Sequence, residues 1–351
     1  MSLDMNKLNA LLGQVVGDVG AAMSSALVLV GDRLGLYRAL ASGPQTPDEV
    51  ASRAGCSGRM VREWLLNQAA GGYVMYDPGS GTYSMTPQQV AAFADEKGPA
   101  SMLGAFQIIT SVHRDIDKIE EAMRSGKGMP WGAHDACLFC GTERFFAAGY
   151  RANLIDSWLP ALNGVVEKMK KGAAVADIGC GHGASTILMA KAFGASKFDG
   201  FDFHAPSIAC AQQRAAEAGA SNVKFAVADA ARFAPSTGMY DVVACFDCLH
   251  DMTDPVACAK SVKASLKPGG VWMVVEPAAA DTVEGNCNPV ARVFSAASTA
   301  ICVPASMAGN GPALGACAGP AKIQEVIRAG GFRSVRIATQ TPFNLIYEAI
   351  A

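Results

Sequence analysis

The sequence has little charge and no excess of either sign. Asp, Glu, Lys and Arg make up only 17% of its 351 residues, and 29 basic and 31 acidic residues leave a net charge of −2. Such a chain has no overall positive field that would draw it to nucleic acid. Because 50% of the residues are hydrophobic, the chain has enough surface to bury, which excludes an intrinsically disordered protein.

Long apolar runs and an export signal are also lacking. Residues 21–30 form the most apolar early stretch and are soon followed by Asp32 and Arg33, whereas a bilayer span needs about 20 apolar residues. The first seven residues lack the basic and apolar regions of a secretory signal. We therefore expect no membrane partner and a cytoplasmic location. In that compartment the eleven cysteines are expected to be free thiols, mostly packed in the core.

The first part of the chain has the element order of a winged helix-turn-helix. A length of 351 residues predicts about two domains. Apolar spacing, capping residues and turn residues predict helices followed by a two-stranded ribbon, at residues 8–40, 47–55, 58–70 and 73–85. We place this winged-helix domain at residues 1–95.

The charge of the winged-helix domain disfavours DNA binding. Residues 1–95 carry six basic and eight acidic side chains, and the only charged residue of the wing is Asp77. A protein that reads DNA needs a basic stripe to neutralise phosphates. We therefore expect this domain to form a homodimer and to cover a substrate site.

The pattern of the chain changes after Gly172. Residues 96–170 are predicted to form a helical connecting region, with one helix running from Thr142 to Val166. In residues 171–351, short apolar runs typical of strands alternate with helical stretches, which predicts a parallel sheet with helices on both faces. The predicted fold class is α/β, preceded by a mostly α-helical domain.

The most informative motif lies between the first predicted strand of this region and the next helix. Gly179, Gly181 and Gly183 follow Asp177 in a loop that would present backbone amides to a ligand at a helix N-terminus. With Ala184 the spacing also satisfies a dinucleotide-binding fingerprint, so the loop alone leaves an NAD-dependent oxidoreductase open. An acid two residues before the first glycine suits an ammonium group better than a pyrophosphate.

Two further acids end the next two predicted strands. Asp202 lies 19 residues after Gly183, where a carboxylate can accept hydrogen bonds from ribose hydroxyls. Asp229 ends the third strand and can accept a hydrogen bond from an adenine amino group. A Leu-Lys-Pro-Gly-Gly run that ends at Gly270 precedes the fifth strand.

Together these motifs resemble the class I S-adenosylmethionine-dependent methyltransferases, over residues 170–351. With the winged helix, the chain is similar to a bacterial group of winged-helix methyltransferases that are sometimes labelled transcriptional regulators. The resemblance implies a Rossmann-like seven-stranded sheet whose last strand is antiparallel, S-adenosylmethionine as cofactor and a small-molecule methyl acceptor. A DNA-binding regulator that senses S-adenosylmethionine is the alternative.

The resemblance also implies which residues bind the cofactor. Asp177 and the backbone of the loop glycines would hold the methionine moiety, and Asp202 would bind the ribose. The resemblance further implies that Asp229 and Ala230 contact the edge of the adenine and that Phe203 lies against the adenine face. The backbone of Phe246 would contact the cofactor's amino group.

Methyl transfer from a sulfonium needs alignment and no metal, and it needs a base only if the acceptor keeps a proton. His250 follows the fourth strand, at the edge where open α/β sheets bind ligands, and is the first candidate base. It could instead cap a helix or hydrogen-bond Asp251. His134, in a loop flanked by glycines, is a second candidate. Tyr150 could close over the cofactor's carboxylate or be an ordinary core aromatic.

Two cysteine pairs have metal-ligand spacing. His134, Cys137 and Cys140 are spaced three residues apart, and Cys245 and Cys248 could complete a zinc site. Each pair is an isolated C-x-x-C, however, and the fourth strand would place Cys245 in the core. We therefore predict no metal.

The segment between the fifth and sixth strands points to the acceptor. Residues 293–321 contain no charged side chain but have prolines at 304, 312 and 320. Such a segment suits a lid over an apolar pocket, although it could also pack on the N-terminal domain or across a dimer interface. We expect a small, partly apolar acceptor.

Overall fold

The computed structural model describes residues 3–234 and 236–351, which divide into two compact units. The first extends to His113 and includes Cys140–Gly149, and the second comprises Arg114–Phe139 and Tyr150–Ala351. The domain boundaries expected after residues 95 and 170 stay a prediction.

The winged helix-turn-helix elements form in the predicted order. They are helices α1 to α6, at Met5–Leu34, Leu36–Leu40, Pro47–Ala54, Gly58–Ala70, Pro87–Phe93 and Leu103–Arg114, with antiparallel strands β1 Met75–Asp77 and β2 Thr82–Ser84 between α4 and α5. The single helix expected over residues 8–40 is wrong, because Gly35 adopts a left-handed conformation with φ 71° and separates α1 from α2. Thr46 and Glu49 form the capping box of α3.

Aromatic residues of α2 and α4 build the core of the first unit. Tyr37 and Trp64 pack edge to face with ring centroids 4.9 Å apart. The Trp64 indole donates a hydrogen bond to the Leu27 carbonyl (2.9 Å), and the Tyr37 hydroxyl donates to Gln68. The buried polar atoms of these aromatic rings are therefore partnered, as a well-specified core requires.

A glycine sets the distance between α6 and residues 140–149. A Cβ atom at Gly104 would lie 2.2 Å from the Phe145 nitrogen and 2.7 Å from the Phe145 Cα, and backbone atoms cannot turn aside as a side chain can. We expect Gly104→Val to lower the free energy of unfolding of the first unit by about 2 kcal/mol or more. Gly149→Val is the matched control, since a Cβ there would lie more than 4 Å from the other described residues that could obstruct it. Urea denaturation followed by circular dichroism would show the difference, and equal losses for both variants would contradict this account.

Two helical segments are long and apolar enough to cross a membrane, judged by length and composition. They are Met5–Leu34 and Pro289–Ala308. Core helices pass the same test, so the expected absence of a membrane partner stays a prediction.

The remaining helices and a seven-stranded sheet belong to the second unit, except that residues Cys140–Gly149 of one helix belong to the first. The helices are α7 Ile116–Ser125, α8 Cys137–Asn153, α9 Val165–Lys171, α10 Ala184–Ala192, α11 Ala205–Glu217, α12 Pro255–Ser265, α13 Pro289–Ala297, α14 Val303–Ala308 and α15 Gly319–Ala329. The single helix predicted from Thr142 to Val166 is wrong: α8 begins earlier and ends at Asn153. A π-helical turn, a short 3₁₀ turn containing Pro160 and a left-handed Gly164 separate α8 from α9.

The sheet has the topology that the resemblance implies. Its strands are β3 Ala174–Ile178, β4 Lys197–Asp202, β5 Val223–Val227, β6 Tyr240–Phe246, β7 Leu266–Pro277, β8 Ser334–Gln340 and β9 Asn344–Ile350. Their order is β5-β4-β3-β6-β7-β9-β8, and β9 pairs antiparallel with both β7 and β8, whereas the other pairs are parallel. The α/β fold class is confirmed. The carboxyl ends of β3, β4, β6 and β7 therefore meet at one edge of the sheet.

Candidate active site

The glycine loop joins β3 to α10 in a conformation that favours glycine. Gly179, Gly181 and Gly183 have φ values of 70°, 53° and 80°. At Gly183 a Cβ atom would also lie 2.6 Å from the Phe225 ring, so a side chain there would be both strained and obstructed. The loop thus brings backbone amides to the N-terminus of a helix, where a ligand can approach them closely.

The two carboxylate oxygens of Asp177 have different surroundings. Oδ2 accepts hydrogen bonds from the Ser185 hydroxyl (2.7 Å) and the Thr186 hydroxyl (2.6 Å). Oδ1 is buried and has no hydrogen-bond partner among the described residues. Burial raises the pKa of Asp177 to about 6, although the two hydroxyls oppose the shift and Asp202 adds to it. An ammonium donor would satisfy Oδ1, so the site fits the amino group of S-adenosylmethionine.

Tyr150 and Asp247 lie close to Asp177, and Asp247 was not predicted. The buried Tyr150 ring packs 5.2 Å from the Phe246 ring. Burial raises the pKa of Tyr150, and the carboxyl groups of Asp247 and Asp177 raise it further. Asp247 has φ 51°, and its Oδ1 accepts a hydrogen bond from Asn344 (2.7 Å). Its Oδ2 is buried and has no hydrogen-bond partner in the part of the chain that the structure describes. A non-glycine residue with positive φ at a strand end is typical of ligand sites.

Asp202 holds the glycine loop as well as ending β4. Its Oδ2 accepts a hydrogen bond from the Gly181 amide (2.9 Å), and its Oδ1 accepts one from the His204 amide (2.8 Å). Burial raises the pKa of Asp202. The neighbouring Phe203 side chain is 65% exposed, as a residue that covers a ligand would be. The ribose and adenine roles of this pair stay predictions.

Asp229 shows the helix-capping geometry that a purely structural role would also produce. Its Oδ1 accepts a hydrogen bond from the Ala231 amide (2.8 Å) and caps the 3₁₀ turn Ala230–Arg232. The adenine contacts expected of Asp229 and Ala230 therefore stay a prediction.

His250 forms a buried pair with Glu276, a partner that was not predicted. His250 lies in the 3₁₀ turn Leu249–Asp251 that follows β6 and is 3% exposed. Its Nδ1 lies 2.5 Å from Glu276 Oε2, and Glu276 Oε1 accepts a hydrogen bond from the Leu249 amide (2.9 Å). Burial alone would lower the pKa of His250, but the Glu276 carboxylate and the neighbouring Cys302 raise it well above its ordinary value. The turn thus carries an oriented imidazole at the ligand edge of the sheet.

The uncharged segment packs against the turn that carries His250. It forms α13, a π-helical turn Ser298–Cys302 and α14. The Ser306 hydroxyl donates a hydrogen bond to the Met252 carbonyl (2.9 Å), and the Gly315 amide donates to the His250 carbonyl (3.1 Å). Cys302 lies near enough to the His250 side chain to raise its pKa. These contacts favour a lid over the candidate base, and they identify Cys302 as a site neighbour that the sequence did not reveal.

The cysteine pairs do not assemble a metal site in the part of the chain that the structure describes. Within residues 3–234 and 236–351, no three His, Cys, Asp or Glu side chains lie close enough to hold a metal ion. Arg114 donates to the Cys137 sulfur (3.2 Å), and the Cys248 thiol donates to the Ile178 carbonyl (3.3 Å). All eleven cysteines are free. The expectation that most lie in the core is wrong, because only Cys180, Cys245 and Cys258 are buried.

Comparison with known proteins agrees with the geometry. A methyltransferase-domain family model matches residues 169–330, and an Rv2258c-like winged HTH domain model matches residues 22–94. The ubiquinone biosynthesis O-methyltransferase of Vibrio parahaemolyticus is 36% identical over 113 residues, which are 31% of this chain and 46% of that protein. The chain thus spans about half the length of the curated relatives it matches.

Solved structures of low identity share the fold along the whole chain. Human N-acetylserotonin methyltransferase in complex with S-adenosylmethionine is 18% identical, with a TM-score of 0.68 over 100% of this chain and 99% of that one. An O-methyltransferase family protein from Burkholderia thailandensis is 18% identical, with a TM-score of 0.67 over 99% of this chain and 98% of that one. The chain therefore contains a methyltransferase domain at residues 169–330 and an N-terminal winged helix-turn-helix domain at residues 22–94.

Proposed function

We propose that this chain transfers the methyl group of S-adenosylmethionine to a hydroxyl group of a small, partly apolar acceptor. The observation that carries the proposal is the buried His250–Glu276 pair, 2.5 Å apart. It lies at the sheet edge that also holds Asp177 Oδ1, which has no hydrogen-bond partner within residues 3–234 and 236–351. The Asp177 oxygen suits the ammonium group of the cofactor, and the His250–Glu276 pair suits removal of a proton from the acceptor.

Each residue of the candidate site would have a separate role in methyl transfer. When bound, S-adenosylmethionine supplies an electrophilic methyl group on a sulfonium. Asp177 would hold the cofactor's ammonium, and the glycine loop would position its methionine end. His250 would take the proton from the acceptor hydroxyl through its second ring nitrogen, since Nδ1 faces Glu276. Glu276 would stabilise the resulting imidazolium and keep the ring oriented.

The acceptor class follows from the lid and from the relatives. The lid carries no charge between residues 293 and 321, so it offers no ion-pair partner to a charged acceptor. The relatives named above include O-methyltransferases, which supports an oxygen nucleophile. We therefore favour neutral, hydroxylated aromatic compounds as acceptors.

The test combines cofactor binding with methyl transfer. Calorimetry should show that S-adenosylhomocysteine binds and that NADH does not. Labelled S-adenosylmethionine should then methylate at least one of phenol, catechol and hydroquinone. Failure to bind S-adenosylhomocysteine would refute the proposal. The alternative of an S-adenosylmethionine-sensing regulator would be favoured instead by tight, salt-sensitive binding to DNA in a gel shift.

We further propose a cytoplasmic homodimer that pairs through α1 and neither binds DNA nor enters a membrane. Leu12, Val16, Val19 and Met23 are exposed, at 71% for Val16 and 74% for Met23. Their spacing of four, three and four residues is that of a helix-pairing seam. A helix with such a face is expected to bury it against a second helix.

Charge placed in the α1 seam should dissociate the dimer. We expect wild-type protein to have twice the 36.3 kDa chain mass in multi-angle light scattering, and Val16→Asp/Val19→Asp to give the monomer mass. Gln14→Glu adds a charge to the same helix outside the seam and should remain dimeric. A monomeric wild type, or a dimeric double variant, would contradict pairing through α1.

A further inference from the structure

A second buried histidine–carboxylate pair lies outside the site described above. His134 lies in the connection between α7 and α8, residues 126–136, and its Nδ1 is 3.3 Å from Asp115 Oδ2. Asp115 also accepts hydrogen bonds from Lys118 Nζ (2.7 Å) and the Asp135 amide (2.8 Å). Both members of the pair are buried. Two hydrogen-bond donors thus hold the carboxylate in place, and it faces the imidazole.

The surroundings of the pair fix the charge and the tautomer of the imidazole. Burial would raise the pKa of Asp115, but the hydrogen bonds from Lys118 and Asp135 outweigh it, so that Asp115 is ionised. Burial lowers the pKa of His134, although Asp115 opposes the shift. A neutral ring that faces a carboxylate through Nδ1 carries its proton there. Nε2 is therefore left as a hydrogen-bond acceptor.

Nε2 of His134 is buried and has no hydrogen-bond partner among the described residues. Buried polar atoms are partnered in the great majority of cases, so each exception calls for an explanation. Here the ring is oriented from its other side by a fixed carboxylate. Such an arrangement presents one lone pair in a defined direction, as a ligand-binding group does.

The connection contacts both sides of the candidate site within the second unit. The Met129 amide donates a hydrogen bond to the Pro304 carbonyl of the lid (2.9 Å). Gly128, with φ 73°, is so close to the lid that a Cβ would lie 2.3 Å from the same carbonyl oxygen. On the other side, a Cβ at Gly132 of the connection would lie 3.7 Å from the His204 ring, and Phe139, in α8 just after the connection, packs 4.8 Å from the same ring. His134 thus lies on a segment that touches the lid and the residues after β4.

We propose that His134 Nε2 accepts a hydrogen bond from a second hydroxyl group of the methyl acceptor, distinct from the one that is methylated. This inference rests on the proposed methyltransferase function. It narrows the acceptor class to neutral compounds with two donor groups, such as aromatic diols. An uncharged hydroxyl matches both the neutral imidazole and the uncharged lid. The role assigned to His134 is binding and specificity, and not proton removal.

Kinetics with matched acceptors test the proposal. We expect wild-type protein to prefer catechol or hydroquinone over phenol by at least about tenfold in kcat/KM, because a site built to bind a hydroxyl discriminates against analogues that lack it. His134→Phe, which fills the same space without an acceptor atom, should abolish that preference through KM. His134→Gln can present an oxygen near the same position and should retain part of it. Affinity for S-adenosylhomocysteine should be unchanged in both.

His113→Phe is the matched control, since His113 is exposed on α6; it should retain the preference. Nitrogen-15 spectra of the five histidines give a second readout: addition of diol to the protein loaded with S-adenosylhomocysteine should shift the Nε2 resonance of His134. A preserved diol preference in His134→Phe, or an Nε2 resonance that no diol shifts because its partner is only water, would overturn the inference. If S-adenosylhomocysteine binds and diol shifts Nε2 but no methyl is transferred, the proposed activity fails and the binding role of His134 stands.

Discussion

Replacing His250 with glutamine is expected to lower kcat for methyl transfer by about 10²- to 10⁴-fold, the usual contribution of a positioned general base. Glutamine is preferred to alanine because its amide can still donate to Glu276, whereas alanine would leave a buried carboxylate without a partner. Affinity for S-adenosylhomocysteine should be little changed, since none of the residues proposed to bind the cofactor is altered. His113→Gln changes an exposed histidine and should keep full activity.

The pH dependence separates a base from a histidine that is only structural. His250 must be unprotonated to accept the acceptor's proton, so kcat should fall as pH falls through its pKa. Because Glu276 and Cys302 raise the pKa of His250 well above its ordinary value, the acidic limb of the profile should lie above pH 6.5. Glu276→Gln removes the largest upward contribution and leaves the effect of burial, so the limb should move to lower pH. The weaker base should also lower the plateau.

An unchanged pH profile in Glu276→Gln would contradict the role given to the pair. So would a His250→Gln enzyme that keeps more than about a tenth of wild-type kcat, because a base contributes at least about 10²-fold. Loss of S-adenosylhomocysteine binding in either variant would instead indicate that the turn supports the fold of the cofactor site.

Local patterns predicted most of the sheet and the cofactor loop. Strand β3 and its glycines combine an apolar run with a turn that only glycine tolerates, and both features are encoded within ten neighbouring residues. The prediction of a single helix from residue 142 to residue 166 is wrong. Helical spacing continues through this stretch, and the π-helical turn after Asn153 depends on packing that a periodic pattern does not contain.

The partners of the candidate base could not be predicted because they depend on strand pairing. Glu276 reaches His250 since β6 and β7 are paired in register, with Phe246 opposite Val275, and that register is set by the whole sheet. An acid at the end of the fifth strand was the available clue. Cys302 comes from an insertion whose path over the sheet edge has no local determinant, so only the structure brings it to His250.

Asp177→Asn is expected to weaken S-adenosylhomocysteine binding by about ten- to one-hundred-fold, since a hydrogen bond to a charged group contributes about 1.5–3 kcal/mol. The pH dependence of binding should change as well. Asp177 has a pKa of about 6 in the protein without ligand, and the ligand's ammonium needs the ionised carboxylate. Wild-type affinity should therefore be constant above pH 7 and fall as pH decreases through 6.

The decrease in affinity below pH 6 should be absent in Asp177→Asn, which has no carboxylate to protonate. Asp202 also faces the loop and has a raised pKa. Any decrease in affinity that persists in the variant therefore reports protonation of Asp202 and not of Asp177. Glu217→Gln removes an exposed negative charge from the same unit and should bind as wild type does at every pH. Calorimetric titration between pH 5 and pH 8 distinguishes these cases. A wild-type affinity that rises as pH falls would show that the ammonium is not held by Asp177, because protonation of its ligand can only weaken that contact.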